Sequence, residues 1–189
     1  MNINKGLDEL KQRFTDPKFQ QNEGLGNQIG VYIVSYNPKD EMTIRHFLES
    51  IRASNDFHPI EIDLYDALIA VLKKQQEDLP DLIKMREMEE GSKVVLEDIL
   101  SIAPCSEVAD YVKSIPHKQG DILILCGIGK VYPFLRLHSF LESLGTAFRD
   151  IPIVSFYPGK YDGRSLHLFD KFFDDNHYRS FDLFNLWGD

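Results

Sequence analysis

Gly127-Ile128-Gly129-Lys130 is the segment of this 189-residue chain whose residue types come closest to ligand chemistry. Glycines between a strand and a helix let backbone N–H groups approach a phosphate, and a lysine can neutralise it. The phosphate-loop pattern GxxxxGK[ST] is incomplete, however. Val131 follows Lys130 where a magnesium-holding hydroxyl would stand, and the loop does not follow the first strand. The first core strand instead runs into SYNPKDE, which has no glycine and brings Asp40 and Glu41 where a nucleotide would need room and positive charge. Gly127, Gly129 and Lys130 therefore have two readings, an anion-binding loop and a tight turn that exposes a lysine. The missing pattern favours the turn.

A second segment, Tyr157-Pro158-Gly159-Lys160-Tyr161-Asp162-Gly163-Arg164, reads as a loop leaving a strand. Its tyrosines and cations are residue types that anchor protein interfaces, although the tyrosines could equally cover the end of a core. The six histidines form neither HExxH nor a close His/Cys pair; only Asp174, Asp175 and His177 cluster near a turn, and no metal site is expected. Ser139 beside His138 and Ser165 near His167 belong to no GxSxG elbow, and neighbouring residues on a helix do not face one another. Glu61 and Asp63 alternate with Ile60 and Ile62, so a pleated strand would place both carboxylates on one face, with Asp63 capping or exposed. Glu87, Glu89 and Glu90, mixed with Lys84, Arg86 and Lys93, read as a solvated helix end.

The elements that must position these residues alternate. Leu7, Leu10 and Phe14 predict a short, peripheral first helix ending at Asp16-Pro17. VYIVSY is apolar enough to be a strand buried on both faces, and Ile44, Phe47, Leu48 and Ile51 then follow helical spacing. HPIEIDL, DILILCG and IPIVSFY repeat the strand pattern. Helical residues follow the first two: Tyr65, Leu68, Ile69 and Leu72 after one, and Leu137, Phe140, Leu141 and Leu144, closed by Gly145, after the other. Residues 77–115 read as a helical insertion, and NHYRSFDLF could add an edge strand. The expected fold is a single three-layer α/β domain over 1–189, with a mostly parallel sheet of about five strands and helices on both faces. Its ligand rim would gather SYNPKDE, GIGKVYP and YPGKYDGRS.

Composition narrows the function classes. A formal charge of −9 disfavours non-specific attraction to nucleic-acid phosphates, unless a local basic patch forms from Lys130, Arg136, Lys160 and Arg164. The acidity is uneven, with 21 Asp/Glu against 14 Lys/Arg in residues 1–120 and 9 against 7 thereafter. No run approaches the roughly 20 apolar residues needed to cross a bilayer, and the polar start lacks a signal-peptide apolar region, so a cytoplasmic protein is expected. Cys105 and Cys126 are not a CxxC pair and read as reduced core thiols.

Four stretches together resemble the BrxB family, a component of bacteriophage-exclusion (BREX) defence systems: GLGNQIGVYIVSY, EIDLYDALIAVL, ILILCGIGKVYPFLRLHSFLESL and IPIVSFYPGKYDGRSLHLFDKFFDDNHYRSFDLF. The last two are the more specific, because Gly-Lys, Tyr-Pro-Phe-Leu-Arg and Phe-Tyr-Pro-Gly-x-Tyr-Asp-Gly keep the family's order. The resemblance implies a Rossmann-like or degenerate phosphate-loop-ATPase-like fold, in agreement with the strand-helix alternation, and a role in phage defence distinct from the methyltransferase and the large ATPase of such systems. It also implies association with PglZ, the alkaline-phosphatase-like component. With no catalytic motif and no cofactor signature, the expectation is a noncatalytic adapter. Its partner-binding rim would comprise Lys130, Tyr132, Arg136, Tyr157, Lys160, Tyr161 and Arg164. The rival expectation is a degenerate nucleotide- or phosphate-binding protein using the GIGK loop and Lys160.

Overall fold

The computed structural model describes residues 3–23, 30–162, 165–174 and 181–183. Strands β1 (Val31–Tyr36), β2 (His58–Asp63), β3 (Asp121–Cys126), β4 (Ile153–Tyr161) and the two-residue β7 (Phe181–Asp182) form a parallel sheet in the order β2-β3-β4-β1-β7. Strands β5 (Leu166–Leu168) and β6 (Phe172–Asp174) extend the end of β4 as an antiparallel ribbon.

Two apolar cores sandwich the sheet, because alternate residues of each central strand point to opposite faces. In β3, Ile122 and Ile124 enter one core while Leu123 and Leu125 enter the other. The first core is covered by α1 (Ile3–Phe14), α2 (Pro17–Gln20) and α3 (Glu41–Arg52), through Leu10, Phe14, Ile44 and Ile51. The second is covered by α4 (Leu64–Gln75), α6 (Ser92–Ile102), α7 (Cys105–Lys113), the single turn α8 (Ile128–Val131) and α9 (Leu137–Leu144). Helix α5 (Leu79–Glu90) lies at its margin, with Leu79 and Ile83 half-buried against it and no side chain fully buried. This is a three-layer α/β fold.

The helix spacings hold where the residues are apolar, and Gly145 ends α9 at a positive φ of 56°. The first helix is not peripheral, however. Leu10 and Phe14 are fully buried, and Phe14 packs edge-on against Phe57 with ring centroids 5.4 Å apart. Asp16-Pro17 ends α1 and starts α2, the Asp16 carboxylate accepting the Lys18 N–H at 2.9 Å. YPGKY also departs from its expected role as a loop. It continues β4, with Gly159, Lys160 and Tyr161 paired to Leu168, His167 and Leu166, so β4 leads into a ribbon rather than a helix. Of NHYRSFDLF, the stretch 176–180 and Phe184 lie outside the described residues, while Phe181–Asp182 pair with Tyr32 and Ile33 at the sheet edge.

Candidate functional site

The connections leaving β1 and β3 diverge to opposite faces of the sheet on either side of β4. In parallel α/β folds such a divergence opens a crevice at the carboxyl ends of the strands. Here a cavity of about 230 Å³ lies between Tyr36 and Pro38 after β1, Gly127 and Lys130 after β3, and Pro158 and Phe169 around the ribbon. It adjoins a cleft of about 220 Å³ between α3 and the ends of β2 and β3.

Among the described residues, that cleft is lined by three ion pairs and a fourth carboxylate, that of Glu49. Arg52 grips Glu61 with two hydrogen bonds of 2.7 Å, the forked geometry that suits guanidinium to carboxylate. Arg45 donates to Glu41 Oε1 at 2.9 Å, one helical turn away, and the Tyr36 hydroxyl donates to Glu41 Oε2 at 2.6 Å. Lys130 Nζ is ion-paired with Asp63 Oδ2, and its ammonium stands 6.0 Å from the centre of the Tyr65 ring. Asp63 also caps α4, its Oδ1 accepting the N–H groups of Tyr65 at 3.0 Å and Asp66 at 3.3 Å. Glu61 and Asp63 do share one face, as their alternation predicts, and both line the cleft.

Two further groups are held neutral. Burial, followed by the nearby Asp63 and Glu61 carboxylates, pushes the Cys126 thiol well above the ordinary range, and its Sγ lies 3.7 Å from Glu61 Oε1. Burial and the Glu41 contact do the same for the Tyr36 phenol. A thiol kept protonated is a poor nucleophile.

The GIGK loop follows from this geometry. Gly127 takes a left-handed φ of 70°, and a Cβ placed there would meet the Asp63 carboxylate, with Cγ only 2.6 Å away. Gly129 sits against Phe169 and Pro158, where a Cβ would approach the Phe169 ring to 2.7 Å. Both glycines permit close approach of protein groups, and the lysine's charge is taken up by Asp63.

On the other side of the β3 connection, an apolar pocket of about 160 Å³ is lined by Tyr132, Arg136, Tyr157, Leu166, Leu168 and Phe172, among others. The Tyr132 ring lies 4.9 Å from that of Phe172, which is 45% exposed. Arg136 is exposed and has no ion-pair partner among the described residues. The expected rim residues therefore divide. Tyr132, Arg136 and Tyr157 meet in this pocket, whereas Lys130 faces the charged cleft. Lys160 is exposed beside Asp170 at 3.8 Å, and Arg164 lies outside the described residues. Tyr157 and Tyr161 are each only 4% exposed and belong to the second core, so Tyr161 is a core residue rather than a surface anchor. Asp175 and His177 also lie outside the described residues, as does the Asp174 side chain. In the sequence Glu41 stands out only as an obstacle to a nucleotide, and Tyr36, Arg45 and Arg52 do not stand out; the signal for Arg45 is its i, i+4 spacing from Glu41 on the helix leaving the first strand.

These features define a three-layer α/β protein with a charged crevice and an apolar pocket at the carboxyl ends of its strands. The family model described as "BREX protein BrxB" matches residues 60–183, the span from β2 through β7. A BREX protein BrxB from Bacillus cereus (strain H3081.97) is 37% identical over 188 residues, 96% of this chain and 97% of the relative. Another, from Escherichia coli O9:H4 (strain HS), is 25% identical over 180 residues, 94% of this chain and 89% of the relative. The chain belongs to the BrxB family of BREX proteins. No solved structure matches it. Among the described residues, no helix is long and apolar enough to cross a membrane.

Proposed function

We propose that this chain is a noncatalytic adapter of a BREX phage-defence system that docks the PglZ-type alkaline-phosphatase-like component through the rim around Tyr132, Arg136 and Phe172. The observation that carries this reading is the apolar pocket itself. It is small, lies at the carboxyl end of β4, and has an exposed phenylalanine and an arginine without a described partner at its edge. A desolvated aromatic pocket flanked by arginine is the composition of a binding hot spot. Family membership supports the assignment to phage defence, and the three ion pairs of the neighbouring cleft support a scaffold rather than a reactive centre.

The test is association of the purified chain with the PglZ-type protein of the same operon, followed by sedimentation velocity. Wild-type chain forms a complex that Arg136→Ala/Phe172→Ala weakens at least about tenfold, equivalent to about 1.4 kcal/mol. A complex of unchanged affinity in that variant would remove the rim from consideration. The phosphate-binding reading draws on the crevice's position at the strand ends, but Lys130 already has its counter-charge in Asp63. Calorimetry with ATP, GTP and cyclic dinucleotides at millimolar concentration tests it, and absence of heat counts against it.

A further inference from the structure

Helices α5 and α6 form a hairpin about Gly91 on the outside of the helical layer. Leu79 and Ile83 of α5 pack partly against the core, and Arg86 ties the two helices by contacting Glu90 and Asp98, each at 3.1 Å. The outward face of α5 is not polar. Leu82, Met85 and Met88 follow one another at three-residue steps, with Met85 59% and Met88 83% exposed. Leu100 is exposed on α6, as far after Gly91 as Leu82 is before it. A 12-residue helix without a buried side chain is marginal alone, and an exposed run of flexible Leu and Met commonly marks an adaptable docking surface.

The charge around this stripe specifies what would cover it. Between Glu77 and Asp98 there are eight carboxylates against three cations, a formal −5 out of the chain's −9, and Arg86 is already engaged. A second copy of the hairpin would bring like charge against like, and an anionic membrane surface would be repelled. The complementary ligand is a helix with an apolar stripe flanked by Lys and Arg, which would lay its apolar face on Leu and Met and meet the carboxylates at its rim.

We infer that the α5–α6 hairpin is a second docking surface that binds a basic amphipathic helix of another protein in the same defence system. It is separate from the rim around Arg136 and Phe172 and does not depend on it. The experiment uses the full chain expressed with its complete operon, with Met88→p-benzoylphenylalanine for photocrosslinking and peptide mapping by mass spectrometry. The expected product joins position 88 to a Lys/Arg-rich amphipathic segment of another operon protein. Its yield should fall at least about tenfold when Leu82→Ser and Met85→Ser are added, with circular dichroism unchanged, and should persist in Arg136→Ala/Phe172→Ala. No crosslink, a crosslink to a second copy, a crosslink to an acidic or extended segment, or a yield indifferent to the serine substitutions would overturn the inference. Loss of the crosslink in the Arg136→Ala/Phe172→Ala chain would show that the surfaces are not independent and would overturn it as stated.

Discussion

Replacing Gly127 with alanine adds one methyl group at a point where the backbone is left-handed and the Asp63 carboxylate is the nearest neighbour. The left-handed conformation alone costs a non-glycine residue about 1–2 kcal/mol. The methyl must also displace Asp63, which caps α4 and pairs with Lys130. Losing the cap costs about 1 kcal/mol, and the pair adds less than about 1 kcal/mol because the Lys130 side chain is 40% exposed and screened. Gly127→Ala should therefore destabilise the chain by about 2–4 kcal/mol. In an Asp63→Ala background the three atoms nearest the new methyl are gone, and only the backbone cost of about 1–2 kcal/mol remains. Urea unfolding followed by circular dichroism on wild type, both single variants and the double variant measures the coupling, expected at about 1–2 kcal/mol. Equal costs of Gly127→Ala in the two backgrounds, within about 0.5 kcal/mol, would refute the idea that Gly127 is glycine because Asp63 needs the space.

Other consequences are as direct. Tyr161→Ala should lower stability by about 3 kcal/mol, as for removal of a buried aromatic side chain; a urea midpoint equal to wild type would mean that Tyr161 is not part of the core. Cys126 binds its proton more tightly folded than unfolded, so its contribution to stability is fully present below the unfolded thiol pKa and declines as pH rises above it. Wild type should lose up to about 1.4 kcal/mol per pH unit above roughly pH 8.5 from this thiol, and a Cys126→Ala chain should show a shallower decline in unfolding experiments between pH 8 and 10. Native Cys126 should also react with iodoacetamide far more slowly than in guanidinium, which mass mapping of the alkylated peptide checks.

Much of this fold is legible because the central strands are buried on both faces. VYIVSY, DILILC and IPIVSFY carry no competing helical pattern, and each is a strand of the parallel sheet. Caps and breakers were equally readable, as Asp16-Pro17, Asp63 and Gly145 illustrate. Local pattern failed where tertiary pairing overrides turn preference. Pro158 and Gly159 suggest a turn, yet β5 comes back along this segment and holds it extended, with the Phe169 N–H donating to the Pro158 carbonyl at 2.8 Å. Leu7, Leu10 and Phe14 fix a helix but not its depth, since nothing local says that Phe57 will close over Phe14. The charged cleft was hidden for another reason. Lys130 meets Asp63 only because β2 and β3 lie side by side, and Arg52 meets Glu61 because the end of α3 packs beside β2, pairings that no spacing motif encodes. Tyr161 shows the converse limit, because residue type alone does not distinguish a core tyrosine from an interface anchor.

The central claim is tested most directly by pulling down the tagged chain from cells expressing its complete operon, and measuring the mass and the salt and nuclease sensitivity of what is recovered. An adapter should bring down the PglZ-type protein in stoichiometric amount, resistant to nuclease, and lose it in Arg136→Ala/Phe172→Ala. Recovery of the chain alone, or of a complex that nuclease disperses, would contradict the adapter assignment.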